Sequence, residues 1–296
     1  MGISATRRAR RLALLETEES VPIRFAVVGV QKAATSSLYR MLIRHPRILG
    51  GPQKELRFFL EDHDWDDPDY SSYRRPRMGR EADLAGDATP AYLFWPQALE
   101  RIRAYRADML LMAVFRDPVE RACSQWAMER FRNADFPDLP EAIARFGADP
   151  LPERLPESNP GPGLQESLFS RGRYGAQVER GLAVFPRSQW LFLEFRQLLS
   201  DHERALDRAT DHLGIDRFKH HPELVQKSAT STSNSGPAPT VASLEQLVAG
   251  YADDLDLFER LTDIDTSGWP TQRVLSGELA IESFHARICQ KLGLPS

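Results

Sequence analysis

Short apolar runs alternate with helix-spaced ones along most of the chain. The run RFAVVGV (24–30) is almost wholly apolar and rich in β-branched residues, which suits a strand buried on both faces of a parallel sheet. After a Thr/Ser-rich turn, segment 37–45 sets Leu38, Met41, Leu42 and His45 at helical spacing, and Pro46 ends it. The alternation then returns. Strand patterns at 83–87, 109–115 and 189–195 are followed by helical patterns at 97–105, 119–130 and 202–213. Strands that alternate with helices predict an α/β fold, a doubly wound parallel sheet flanked by helices, with ligand bound beyond the C-terminal strand ends.

Two stretches break this rhythm. Residues 132–166 hold seven prolines and one short helical pattern at 141–146, and they read as a lid-like insert. Residues 227–240 (KSATSTSNSGPAPT) are rich in Ser, Thr and Pro and read as a linker or ligand-ordered loop. Segment 243–261 is predicted as one amphipathic helix, and 279–292 as another. At the start, Arg7, Arg8, Arg10 and Arg11 precede Glu16, Glu18 and Glu19, the reverse of the order a helix dipole favours. The organisation expected is a flexible basic arm (1–20), one domain (21–270) that carries the 132–166 insert, and a helical extension (271–296).

Composition narrows the function. With 296 residues, 42% hydrophobic and 27% charged, the chain has the balance of a globular protein. A net charge of −4 argues against a general nucleic-acid binder, which needs a basic face to displace counterions. The two cysteines, Cys123 and Cys289, are too few for a disulfide framework or a thiolate metal site. The histidines show no metal-ligand spacing, so no metal is expected. The apolar runs are far shorter than a bilayer, so no stable membrane insertion is expected and the cytoplasm is the expected compartment.

The turn GVQKAATSSL (29–38) carries the most chemistry. It falls where a βα turn aims backbone N–H groups at an anion, with Lys32 as a cation and Thr35, Ser36 and Ser37 as hydroxyl donors. It is not a Walker A loop, because its lysine precedes Thr35 by three positions and Ala33–Ala34 stand between them. A second anion turn is FRDP (115–118). Here Arg116 follows an apolar strand, Asp117 is placed to cap the next helix, and Pro118 suits its first position. Ser124 comes two turns along that helix. Arg121 is read as joining the site or as pairing at the surface with Glu120 or Asp117.

These segments, with KELRFF (54–59), DATPAY (87–92) and SLFSRGRYGAQVERGLAVFP (167–186), occur in the order seen in sulfotransferases. The chain resembles that family over about residues 22–270, most closely the heparan sulfate sulfotransferase branch and its bacterial relatives. The resemblance implies a P-loop-NTPase-like fold and a donor, 3′-phosphoadenosine 5′-phosphosulfate (PAPS), with adenosine 3′,5′-bisphosphate (PAP) as product. It places Lys32, Ala33, Ala34, Thr35, Ser36 and Ser37 around the 5′-phosphosulfate, Arg116 and Ser124 at the 3′-phosphate, and Tyr174 near the adenine. It makes Glu55 the general base, where cytosolic relatives use histidine, and Lys32 the stabiliser of the departing bisphosphate. The acceptor is expected to be a small molecule or a saccharide, such as a specialised metabolite or a glycolipid.

The chain also departs from the pattern. Ala88 stands where the glycan enzymes usually carry lysine, which weakens heparan sulfate as acceptor, and Arg57 stands where they often carry histidine. In the 227–240 segment, SNSGPAPT (233–240) stands where relatives carry Lys or Arg near the 3′-phosphate. The acidic run 61–69 reads as a solvated loop. Two other readings stand beside the enzyme: a magnesium- and ATP-dependent kinase, and a non-catalytic module that binds adenosine bisphosphate.

Overall fold

Strand β1 (Ser20–Gly29) is buried along nearly its whole length and anchors a six-stranded sheet. The computed structural model describes residues 20–51, 53–77, 81–82, 84–153, 167–225 and 236–295. Residues 1–19 of the expected arm (1–20), the later part of the proline-rich insert (154–166) and residues 227–235 of the Ser/Thr/Pro segment lie outside these residues. The described chain divides into two compact units. One holds 20–29, 34–114 and 184–225, and the other holds 30–33, 115–183 and 236–295.

The first unit contains the sheet. After β1 come helix α1 (Thr35–Leu42), β2 (Ile48–Leu49), β3 (Arg74–Pro76), β4 (Leu84–Asp87), α2 (Ala98–Tyr105) and β5 (Leu110–Phe115). The strand order is β2-β4-β1-β5-β6, where β6 is Trp190–Glu194. The pairs β1–β4, β1–β5 and β2–β4 are parallel, as the apolar runs predict. Strand β1 starts earlier than expected, because Ser20, Val21 and Pro22 pair antiparallel with β3. Gly86 lets β4 approach β1, since a Cβ there would run into the Phe25 ring. Helix α1 packs on β1, while α6 (Phe195–Ser200) and α7 (His202–Leu213) pack on β6.

The second unit is helical. It holds α3 (Pro118–Arg132), α4 (Leu139–Phe146), α5 (Tyr174–Val184), α8 (Val241–Ala249), α9 (Ala252–Thr262), α10 (Pro270–Leu275) and α11 (Ile281–Leu292). Asp117 caps α3 as predicted: its carboxylate accepts from the Glu120 N–H at 2.8 Å and from the Thr271 N–H at 2.7 Å. The helix expected over 243–261 is two helices, broken at Gly250–Tyr251. Tyr251 is buried at the break and donates its hydroxyl to the Phe169 carbonyl at 2.8 Å. That bond holds the tyrosine where a continuous helix would not. Of the proline-rich insert, the first part is tied down, with Trp126 Nε1 donating to the Pro137 carbonyl at 3.0 Å and α4 packing on α8. The described part of the C-terminal segment, 271–295, packs into the same unit through α11 against α3 and α8.

Candidate functional site

Two neighbouring parallel strands, β1 and β5, each end in a turn that carries a cation. The first turn, 30–37, is built without glycine, although Lys32 (φ 71°) and Ala34 (φ 60°) both adopt the left-handed region. Each such residue costs roughly 1–2 kcal/mol, a strain that persists only where the surrounding structure imposes it. Ala34 is also the N-cap of α1, and no side chain accepts a hydrogen bond from the helix start. The first turn of α1 therefore keeps N–H groups and the positive end of its dipole for an anion. Thr35 and Ser37 are buried, while Lys32, Ala34 and Ser36 are half-buried.

The second turn leaves β5. Arg116 is 8% exposed, and its guanidinium donates to the Lys32 carbonyl at 3.1 Å, which pins the first turn to the second. Lys32 Nζ lies 3.7 Å from Met128 Sδ on α3. Burial, then the charge of Arg116, pushes the Lys32 ammonium below the usual lysine pKa. Arg171 is buried beside this turn, donating to Gln31 Oε1 at 3.2 Å and to Ser167 Oγ at 2.7 Å.

Within the first unit, the strip 53–57 carries Glu55. Its backbone is fastened on both sides. Arg75, 3% exposed, donates to the Gln53, Lys54 and Gly86 carbonyls at 2.7, 3.1 and 3.1 Å. Asp87, fully buried, accepts from the Leu56 N–H at 3.1 Å and from the Tyr73 hydroxyl at 3.2 Å. Burial raises the Asp87 carboxyl above its usual range, opposed by the Leu56 N–H. Thr89 Oγ1 accepts from the Arg57 N–H at 3.2 Å. Held this way, the strip leaves the Glu55 side chain 43% exposed, paired with Lys54 Nζ at 2.9 Å. The same ammonium donates to Ser36 Oγ at 3.1 Å, so Lys54 ties the carboxylate to the start of α1.

Some sequence expectations change. Tyr174 is completely buried among Phe115, Phe258 and Trp269, so its ring offers no face to an adenine. Its hydroxyl donates to the Arg116 carbonyl at 2.9 Å, which makes it a support for the second turn. Arg121 is not at the surface: it is fully buried and donates to Gln125 Oε1 at 2.7 Å and to the Leu168 carbonyl. Ser124 is half-buried on α3, two turns beyond Arg116. His45 has the structural role its position suggests, with its ring edge on Phe218 and Nδ1 accepting from the Arg47 N–H. Within the acidic run the six carboxylate residues are exposed, but His63 stacks on Phe58 at 4.3 Å and Trp65 lies under Arg101 at 4.0 Å.

Three groups escaped the sequence reading. Arg75 sits in an arginine-rich run that looks like solvated surface. Glu120, an ordinary first-turn helix acid, is buried and meets Arg116, Arg287 and Lys291. The last two come from α11, far along the chain, and only its helical spacing was legible.

No family model matches the chain. Human heparan sulfate glucosamine 3-O-sulfotransferase 3A1 is 32% identical over 215 residues, which cover 70% of this chain and 48% of that protein. Human bifunctional heparan sulfate N-deacetylase/N-sulfotransferase 3 is 25% identical over 206 residues, covering 65% of this chain and 22% of that one. The chain thus spans about half the length, or less, of these curated relatives. A solved sulfotransferase from Alicyclobacillus acidocaldarius matches with a TM-score of 0.65 and 26% identity, covering 84% of this chain and 99% of that one. Strand order, motif order and these matches agree, and the chain belongs to the sulfotransferase family.

Proposed function

We propose that the protein transfers the sulfuryl group of PAPS to the hydroxyl of a small-molecule or saccharide acceptor. The observation that carries this reading is the bond from Arg116 to the Lys32 carbonyl, which joins two cationic turns at neighbouring strand ends. A nucleotide with anionic groups at both ends of its ribose needs two such stations. A nucleoside triphosphate needs one continuous cradle with magnesium. In this reading the strained, uncapped turn at Lys32–Ser37 takes the 5′-phosphosulfate, and Arg116 with Ser124 takes the 3′-phosphate.

The transfer is an in-line displacement. The acceptor oxygen forms a bond to sulfur as the bridging bond from sulfur to the 5′-phosphate oxygen breaks, and that oxygen keeps the electron pair. Glu55 takes the acceptor proton. Lys32 stabilises the charge that builds on the departing bisphosphate, an interaction stronger in the transition state than in the ground state. Lys54 has a double part: it orders Glu55 in the resting protein, and its bond to Ser36 keeps that carboxylate beside the start of α1.

The acceptors named for the curated relatives are glucosamine residues of heparan sulfate. Ala88 stands where the resemblance places a lysine for such an anionic chain, which weakens heparan sulfate as the acceptor.

Glu55→Gln tests the assignment, assayed with labelled PAPS and a panel of hydroxyl acceptors. The variant is expected to lose at least ~100-fold in kcat while it binds PAP as the wild type does. Undiminished transfer would remove Glu55 from the mechanism, and no transfer by the wild type to any acceptor of the panel would favour the non-catalytic reading.

A further inference from the structure

Helix α3 opens to solvent along one narrow strip. From Pro118 to Glu129 its residues are buried except Ser124 and Met128, which are half-buried. At 3.6 residues per turn, Ser124, Met128 and Phe131 fall within an arc of about 60°, so the strip runs on into the last turn of the helix. There Phe131 is 76% exposed, the one large apolar side chain open to solvent among the described residues.

A single exposed ring is ordinary on a protein surface. This one is set apart by what its strip touches. Lys32 Nζ lies 3.7 Å from Met128 Sδ, one turn before Phe131. After burial and Arg116, the charges of Arg132 and Glu129 act on the same ammonium, so the last turn of α3 lies close to it. In the reading above, Lys32 marks the oxygen that leaves sulfur, and in-line transfer sets the acceptor oxygen about 3 Å from that sulfur on the far side. The strip therefore runs from Ser124, assigned to the donor, past the ammonium at Met128 to an apolar ring. The cations beside the ring have other partners: Arg130 donates to the Ala134 carbonyl at 2.6 Å, and Arg132 pairs with Glu129 at 3.7 Å. A thioether and a phenyl ring have little to offer the hydroxyls of a sugar. What they present is soft apolar area.

We propose that Phe131, with Met128 beside it, is an acceptor-specificity residue, and that the acceptor hydroxyl is carried on an apolar ring system rather than on a saccharide. This rests on the sulfuryl-transfer reading and selects within it. Such an acceptor lies along the strip, covers the Phe131 ring and removes apolar area from water, while its hydroxyl points to the sulfur. Phe131 takes no part in the chemical step.

Binding to the PAP-saturated full chain tests this with two probes, 2-naphthol and N-acetylglucosamine. The wild type is expected to bind 2-naphthol at least about tenfold more tightly than the sugar. Phe131→Ala should weaken 2-naphthol about tenfold, the worth of covering one ring, and leave PAP within about twofold of wild type. The ring is exposed, so its removal leaves the fold in place. A wild type without preference for 2-naphthol over the sugar overturns the inference. So does a 2-naphthol affinity unmoved by Phe131→Ala, or a loss that PAP shares equally. Each of these results leaves sulfuryl transfer standing. A wild type that does not bind PAP instead defeats the donor reading and takes the inference with it.

Discussion

The two units position their candidate functional groups by opposite means. In the first unit, Glu55 is placed through its backbone. Arg75 and Asp87, both buried, bind the carbonyls and the N–H around it, and its side chain stays exposed. In the second unit, Arg116 is placed through its side chain as well as its carbonyl, with Lys32, Glu120 and Tyr174 as partners. Backbone fixing leaves the Glu55 carboxylate in a partly exposed pair with Lys54, which an incoming acceptor can displace, as a general base requires. Side-chain fixing suits a charge that must remain in place when its ligand departs.

Perturbing each unit in turn separates the two modes. The largest effect is expected at Lys32, whose ammonium is assigned to the transition state. Lys32→Ala should lower kcat by ~100- to 1,000-fold, measured with saturating donor. The wild type should also show an alkaline limb. Burial and Arg116 lower the Lys32 pKa, so the charged form is lost as pH rises through a value below that of an exposed lysine. Activity should therefore fall earlier than free lysine would predict. A wild-type profile flat to the alkaline edge of protein stability would deny Lys32 this role.

Next in size is the buried clamp. Arg75→Met leaves the carbonyls of Gln53, Lys54 and Gly86 without their charged donor, and unfolding free energy should drop by about 2–4 kcal/mol. Because Arg75 acts on Glu55 through the backbone, kcat should fall while the affinity for PAP stays as it was. A variant that loses PAP affinity and keeps kcat would place Arg75 in the donor site instead.

The smallest effect sharpens the picture of the first turn. Ala34→Gly removes a Cβ from a left-handed cap at φ 60°, and it should stabilise the fold by about 0.5–1 kcal/mol in denaturant titration. Destabilisation would mean that the methyl group packs well enough to offset the strain.

Local order was legible where neighbours in sequence carry it. The apolar run before the first turn, the helix spacing after it, and Asp117–Pro118 at the head of α3 each announce their element within a few residues. Contacts across long separations left no such trace. Strand β3 is short and reads RRP, so neither alternation nor propensity marks it, yet it carries the Arg75 clamp. The break between α8 and α9 depends on Tyr251 reaching Phe169, 82 residues away, against an unbroken amphipathic pattern. Tyr174 lay in a motif that resembles an adenine contact, but its burial follows from three rings brought together by the fold. Arg287 and Lys291 read as the polar face of a helix, because the carboxylate they meet lies more than 160 residues earlier.

The central claim is that this protein holds a nucleotide by anionic groups at both ends of its ribose. Titration of the wild-type chain with PAP and with AMP measures it most directly. The account predicts that PAP binds at least about tenfold more tightly, the value of one charge-assisted phosphate contact. Equal affinity for the two nucleotides would contradict it.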